Sequence, residues 1–224
     1  MKMVEHEKTG TSVGDAEKNA VLAKLSTDRG ISIDVLDAAG LGRESEGIYK
    51  DWWSIPYPHR TGLWKTRYRN PDPKGQPKYR DAPGAKFHLY NPLLLGPGEE
   101  EIWFAEGEFD TLALIAQGLN AIGFHGVSNV PEEEVDEDEG KFKPRKSWMV
   151  LFEHTMCITM FDNDDAGRRS GRRLARILKG DAFDEWNDKF GDVNEWHAAD
   201  PAGLGASIAR FRYGLRRSKG LATW

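Results

Sequence analysis

The chain of 224 residues is poor in several things. It has one cysteine, Cys157, which excludes an internal disulfide and any CxxC-type zinc ribbon within these residues. No stretch approaches the ~20 apolar residues needed to span a bilayer, so no membrane segment is expected. The first residues, MKMVEHEKTGTSVGDAEK, have no apolar core of a secretory signal, and a cytoplasmic location is expected. No GxxxxGK[ST] occurs, which excludes a P-loop motor here. The six histidines show no metal-ligand spacing.

Present instead are 39% hydrophobic residues and eight tryptophans, enough for a sizeable core. The net charge of −5 hides a strong pattern. Residues 41–90 carry ten Lys or Arg against five acids, residues 99–139 carry thirteen acids and no Lys or Arg, and residues 141–180 return to ten bases against four acids. Local patches, not the sum, govern which partners a surface attracts.

Helical spacing predicts a helix over about Asp15–Lys24, and Ser32 can cap a second, short one ending at Gly40. Residues 47–70 alternate apolar and polar around a turn at His59–Gly62, a strand–turn–strand pattern. Lys78, Tyr79 and Arg80 then fall in a loop-rich stretch. From Glu101 the pattern changes. IWFAE and AIGFHG read as short strands around a helix over Glu108–Gln117, and WMVLF and MCITMF are further apolar runs. An arginine-rich helix follows over Ala166–Leu178, and the acidic stretch between Glu132 and Glu139 reads as a solvated insertion. Such alternation predicts a parallel sheet, whose ligands sit beyond the carboxyl ends of its strands.

Two segments place acids at such ends: AEGEFD, with Glu106 and Asp110, and FDNDDAG, with Asp162 and Asp164. Alone, a DxD is usually a helix cap or solvated loop. Two such segments, each closing an apolar run, are far more specific. Two unit charges ~4 Å apart repel by about 4 kcal/mol at an effective dielectric near 20, so a converging cluster needs protons or cations. Carboxylates without His or Cys select Mg2+ or Mn2+ over zinc, and magnesium completes its shell with substrate phosphates.

At these residues a resemblance appears. Glu106-Gly107-x-x-Asp110 and Asp162-Asn163-Asp164-x-Ala166-Gly167 resemble the TOPRIM domain of primases, topoisomerases and some nucleases. DRGIS, GQPKYRDAP, FHLYNP and GDVNEW resemble, in order, segments of phage and bacterial DNA primase cores. The resemblance implies an α/β fold: a TOPRIM-type, mostly parallel sheet flanked by helices, preceded by a small basic α+β subdomain. It divides the chain into an N-terminal tail and helix (1–27), the basic subdomain (28–98), the TOPRIM domain (99–205) and a basic tail or helix (206–224). Lacking zinc-binding and helicase modules, the chain looks like an isolated core.

The implied activity is template-directed nucleotidyl transfer, making RNA primers on single-stranded DNA in a bacterial or phage-infected cell. Glu106, Asp162 and Asp164, with Asp192 of GDVNEW and Asp110, would hold Mg2+ or Mn2+. Lys78, Tyr79, Arg80, Arg168 and Arg169 would bind the nucleotide, and Lys65, Arg67, Arg69 and Lys86 the template. A solvated helix face is the rival reading for the arginines. A separate zinc-binding module and a replicative helicase are implied partners. A metal-dependent TOPRIM nuclease and a non-catalytic DNA-binding subunit stay open as alternatives.

Overall fold

The computed structural model describes residues 13–96, 98–131 and 149–221. Helix α1 (Val13–Arg29) is longer than the expected helix at both ends. It stops at Gly30, whose φ of +68° and close approach to Ala198 leave no space for a Cβ. Helix α2 (Ile33–Ala38) starts where Ser32 Oγ accepts the Val35 N–H.

A four-stranded antiparallel sheet follows, in the order β1 (Gly42–Arg43), β2 (Trp53–His59), β3 (Gly62–Arg69), β4 (Tyr79–Asp81). The hairpin turns at the predicted place. β4 corrects the loop expected around Tyr79 and Arg80: Tyr79, Arg80 and Asp81 pair with Arg69, Tyr68 and Arg67. Alternation gives this sheet one buried face, with Trp53, Ile55 and Tyr57 packed on Leu22, Leu25, Leu36 and Leu41.

The second sheet is parallel, in the order β6 (Ala121–Gly123), β5 (Glu101–Ala105), β7 (Met156–Met160), β8 (Asp181–Ala182). β5 is buried along its whole length, as a covered parallel strand requires. Trp103 and Ala105 face a core shared with α3 (Glu108–Ala116), α5 (Val193–Ala199) and α6 (Pro201–Ser218). Ile102 and Phe104 face the opposite core, shared with Leu174 and Leu178 of α4 (Asp165–Leu178). The apolar run ending at Phe152 forms a 3-10 turn, Met149–Phe152, rather than a strand. The acidic insertion expected around Glu132–Glu139 lies outside the described residues.

Helix α3 joins the two sheets. Its Ala113 and Leu114 belong to the parallel-sheet core, while Phe109 and Leu112 belong to the core beneath the antiparallel sheet. Tyr90 pairs with Gly123 and extends the β6 edge. Among the described residues, no helix is long and apolar enough to cross a membrane.

Candidate active site

β5 and β7 are hydrogen-bonded neighbours, with Ala105 opposite Met160. The chain therefore leaves both strands at one edge of the sheet, carrying Glu106 from the first and Asp162 from the second. The Glu106 carboxylate accepts the backbone N–H groups of Asp162 and Val127. Asp164 caps α4, its Oδ1 taking the Gly167 N–H at 2.7 Å. Asp192 caps α5 through the Glu195 N–H at 2.6 Å, and Asp110, in the first turn of α3, accepts the Asn194 N–H at 3.0 Å. Gly167 is required at its position, since a Cβ would lie 2.3 Å from the Asp162 carbonyl oxygen.

Asp162 differs from the others. Its Oδ1 is buried and, among the described residues, has no hydrogen-bond partner. Burial, then the charges of Asp110, Glu106, Asp192 and Asp164, push its carboxyl up to about 8. Burial and then Asp192 push Asp110 up to about 7. Glu106 is also raised, by burial first and then by Asp164 and Asp192. Among the described residues, no three His, Cys, Asp or Glu side chains are already closed into a metal cage. The donor set nevertheless fits a hard divalent cation: every acid is oxygen-only, and one buried oxygen lacks any partner.

A cationic wall faces these acids across a cavity of about 250 Å3. Arg29, at the end of α1, lies 4.6 Å over the Phe109 ring and donates to Asn194 Oδ1 at 3.1 Å. Arg67 donates to the buried Glu108 at 2.6 Å, and the Tyr57 hydroxyl donates to the same carboxylate oxygen. Lys78 is exposed at the rim. His125, at φ 69°, completes the lining, its ring nitrogen Nδ1 3.0 Å from Lys65 Nζ. Burial, then Arg67 and Lys65, lower His125 to about 4, so it is neutral and accepts from the lysine.

Of the residues singled out by sequence, Glu106, Asp110, Asp162, Asp192, Lys78, Tyr79 and Arg67 line this cavity together. Asp164 is exposed and outside the lining, though its charge still acts on Glu106 and Asp162. Arg69 is half-buried, over the rings of Tyr79 and Phe109. Lys65 requires a correction: it is 5% exposed, held by Asp81 at 2.8 Å and by His125, and so is an internal ion pair rather than a template contact. Arg80 projects from the other face of β4, and Lys86, Arg168 and Arg169 are exposed but outside the cavity lining.

Sequence reasoning missed Arg29, Tyr57, Glu108 and Asn194 as site residues. Arg29, Glu108 and Asn194 stand inside DRGIS, AEGEFD and GDVNEW, so their signal was proximity to the motifs. Tyr57 carried none beyond its place in an alternating strand.

Comparison with known proteins bears on the fold. Residues 103–197 match the family model described as Toprim-like. The Gene 57 protein of Mycobacterium phage D29 is 27% identical over 137 residues, 58% of this chain and 80% of that protein. The primase fragment of the bacteriophage T7 primase-helicase protein superposes with a TM-score of 0.58 at 22% identity, over 82% of this chain and 72% of the fragment. The Aquifex aeolicus primase, solved with its zinc-binding and RNA polymerase domains, superposes with a TM-score of 0.57 at 16% identity, over 96% of this chain and 67% of that one. The DnaG primase catalytic domain bound to ssDNA gives a TM-score of 0.58 at 16% identity, over 85% and 74%. Residues 103–197 thus match the Toprim-like model, within a chain that shares its fold with these primase structures.

Proposed function

We propose that this chain is a DNA primase core that joins ribonucleotides on a single-stranded DNA template. The observation that carries the reading is one cavity in which carboxylates from β5, α3, β7 and α5 meet a wall of Arg29, Arg67 and Lys78. Such pairing suits a substrate that brings its own negative phosphates together with cations. Glu106, Asp162 and Asp164 would hold Mg2+ or Mn2+, with Asp110 and Asp192 beside them; Asp162 Oδ1 is the oxygen left open for it. Bound there, the divalent ions would lower the charge on the reacting phosphate and favour an ionised primer 3′-hydroxyl.

The chain's own residues have separable tasks. Lys78, at the rim, would take the incoming triphosphate, neutralising charge as pyrophosphate leaves. Arg29 is fixed in place by Asn194 and the Phe109 ring, and presents a fork suited to phosphate oxygens. Tyr79 lines the same cavity, half-buried, and offers a ring for a base. Arg67, tied to Glu108, serves mainly to hold the antiparallel sheet over α3. These residues contain one cysteine and no P-loop, hence neither a zinc ribbon nor a helicase motor; a zinc-binding module and a replicative helicase, wherever they are encoded, are the partners this reading calls for.

The test is primer synthesis on single-stranded DNA with NTPs and Mg2+ or Mn2+. Asp162→Asn should abolish synthesis while the protein stays folded and binds DNA. NTP-independent cutting of labelled DNA or RNA by the wild type, lost in the same variant, would replace the polymerase reading with a nuclease.

A further inference from the structure

Helix α4 begins beside the carboxylates and runs away from them. Gly171, Leu174, Ala175 and Leu178 are buried against the parallel sheet. The remaining surface carries Arg168, Arg169, Arg172 and Arg176, all exposed. The only acid in the helix is Asp165, in its first turn. Arg168 donates to Asn163 Oδ1, and Arg173 donates to the Val130 carbonyl. Arg169 and Arg172 have no hydrogen bond or ion pair among the described residues.

This crowding is unfavourable within the protein alone. Like charges three or four residues apart on a helix destabilise it by about 0.2–0.5 kcal/mol per pair. Arg168 with Arg172, Arg169 with Arg172 and Arg169 with Arg173 are such pairs. Helix α6, also basic, resolves part of the same problem internally. Its Arg210 pairs with Glu185 and its Arg212 with Glu101, and Lys219 just beyond it pairs with Asp181. On α4, by contrast, Arg168 has Asp188 at 3.9 Å, and Arg169 and Arg172 have no acid among the described residues.

We infer that the exposed arginine face of α4 is a track for the phosphodiester backbone of a nucleic-acid strand running to or from the cavity. Arg169 and Arg172 lie about one and two turns beyond Asp164, and a helical turn of ~5.4 Å is close to the spacing of successive phosphates. Guanidinium forks match phosphate oxygens. The cavity lining excludes Arg168 and Arg169, so the track is separate from the triphosphate site. The electrostatic argument stands alone; naming the strand as template or primer–template hybrid rests on the primase reading.

The test uses the full chain without NTPs and with EDTA, titrated with labelled single-stranded DNA, and in parallel with an RNA–DNA hybrid, across a series of salt concentrations. Arg169→Gln/Arg172→Gln should weaken binding at least tenfold at low salt. On single strands it should flatten the plot of log affinity against log salt by about 1.4, at ~0.7 per lost phosphate contact. Its melting temperature should equal or slightly exceed that of the wild type, since repelling pairs are removed. Arg210→Gln/Lys219→Gln, with the same change in net charge, should keep the wild-type slope. A change with either probe supports the track, and the probe that responds more identifies the strand. An unaltered slope with both probes, or an equal loss in the control, overturns the track. Synthesis that persists in a double variant with wild-type DNA binding would sink the track alone; a working track in a protein that never extends a primer would sink the primase reading alone.

Discussion

The two walls of the cavity handle buried charge in opposite ways. On the parallel-sheet side, Glu106, Asp110 and Asp192 are steered by backbone N–H groups and, among the described residues, have no cation directly bonded to them, and Asp162 keeps a buried oxygen without a hydrogen-bond partner there. On the antiparallel side, Lys65 is matched to Asp81, and Arg67 to Glu108 with Tyr57. Burying a charge is costly unless it is paired. The paired cations therefore belong to the scaffold that holds the sheets together, and the unpaired acids belong to whatever the site binds.

The contrast is sharpest in two substitutions. Arg67→Ala should lose about 3–5 kcal/mol of stability, because Glu108 would be left charged and nearly inaccessible. Asp162→Asn should cost no stability, and above pH 8, where the wild-type carboxyl is ionised, it should raise the melting temperature in EDTA by removing a repelled charge. Denaturant titration of both reads the difference, and a large loss in Asp162→Asn would erase it.

pH separates the walls next. Asp162 and Asp110 are raised from their usual 3.8 to about 8 and about 7, so their contribution is complete at low pH and is lost as pH rises through those values. His125 is lowered from 6.5 to about 4, so its contribution is present above 6.5 and lost as pH falls toward 4. The two oppose each other below 6.5 and the acids act alone above it. In EDTA the melting temperature should therefore fall between pH 6.5 and 8, and Asp162→Asn should flatten that fall. A rising curve in this window would contradict the assignment.

Smaller effects follow at the edges. Asp164→Ala removes the α4 cap and should cost about 1 kcal/mol, with synthesis lost far beyond what that accounts for. Lys78→Ala should change stability by less than about 0.5 kcal/mol, since the side chain is exposed, yet raise the KM for NTPs. Lys65 and Lys78 would then prove opposite in kind despite their shared basic segment.

Much of this was legible in the sequence, for local reasons. Apolar runs ending on Glu106 and Asp162 announce strand termini, Ser32 marks the start of α2, and the arginine spacing after Asp164 gives α4. The hairpin around His59–Gly62 follows from alternation. What escaped depends on contacts between distant segments. The lysine and arginines of β3 alternate in the same way whether their face meets solvent or an acid on another element, so the burial of Lys65 and the Arg67–Glu108 pair left no trace. Arg29 meets Asn194 across 165 residues of chain. β4 is three residues long and follows a Pro- and Gly-rich stretch, and its pairing is imposed by β3 rather than by its own composition.

The most direct measurement is Mn2+ binding followed by electron paramagnetic resonance on the wild type and on Asp162→Asn at pH 8. The account predicts stoichiometric Mn2+ uptake by the wild type and at least a tenfold weaker affinity in the variant, with both proteins equally folded. Wild-type protein that takes up no Mn2+, or a variant that binds it equally well, would contradict it.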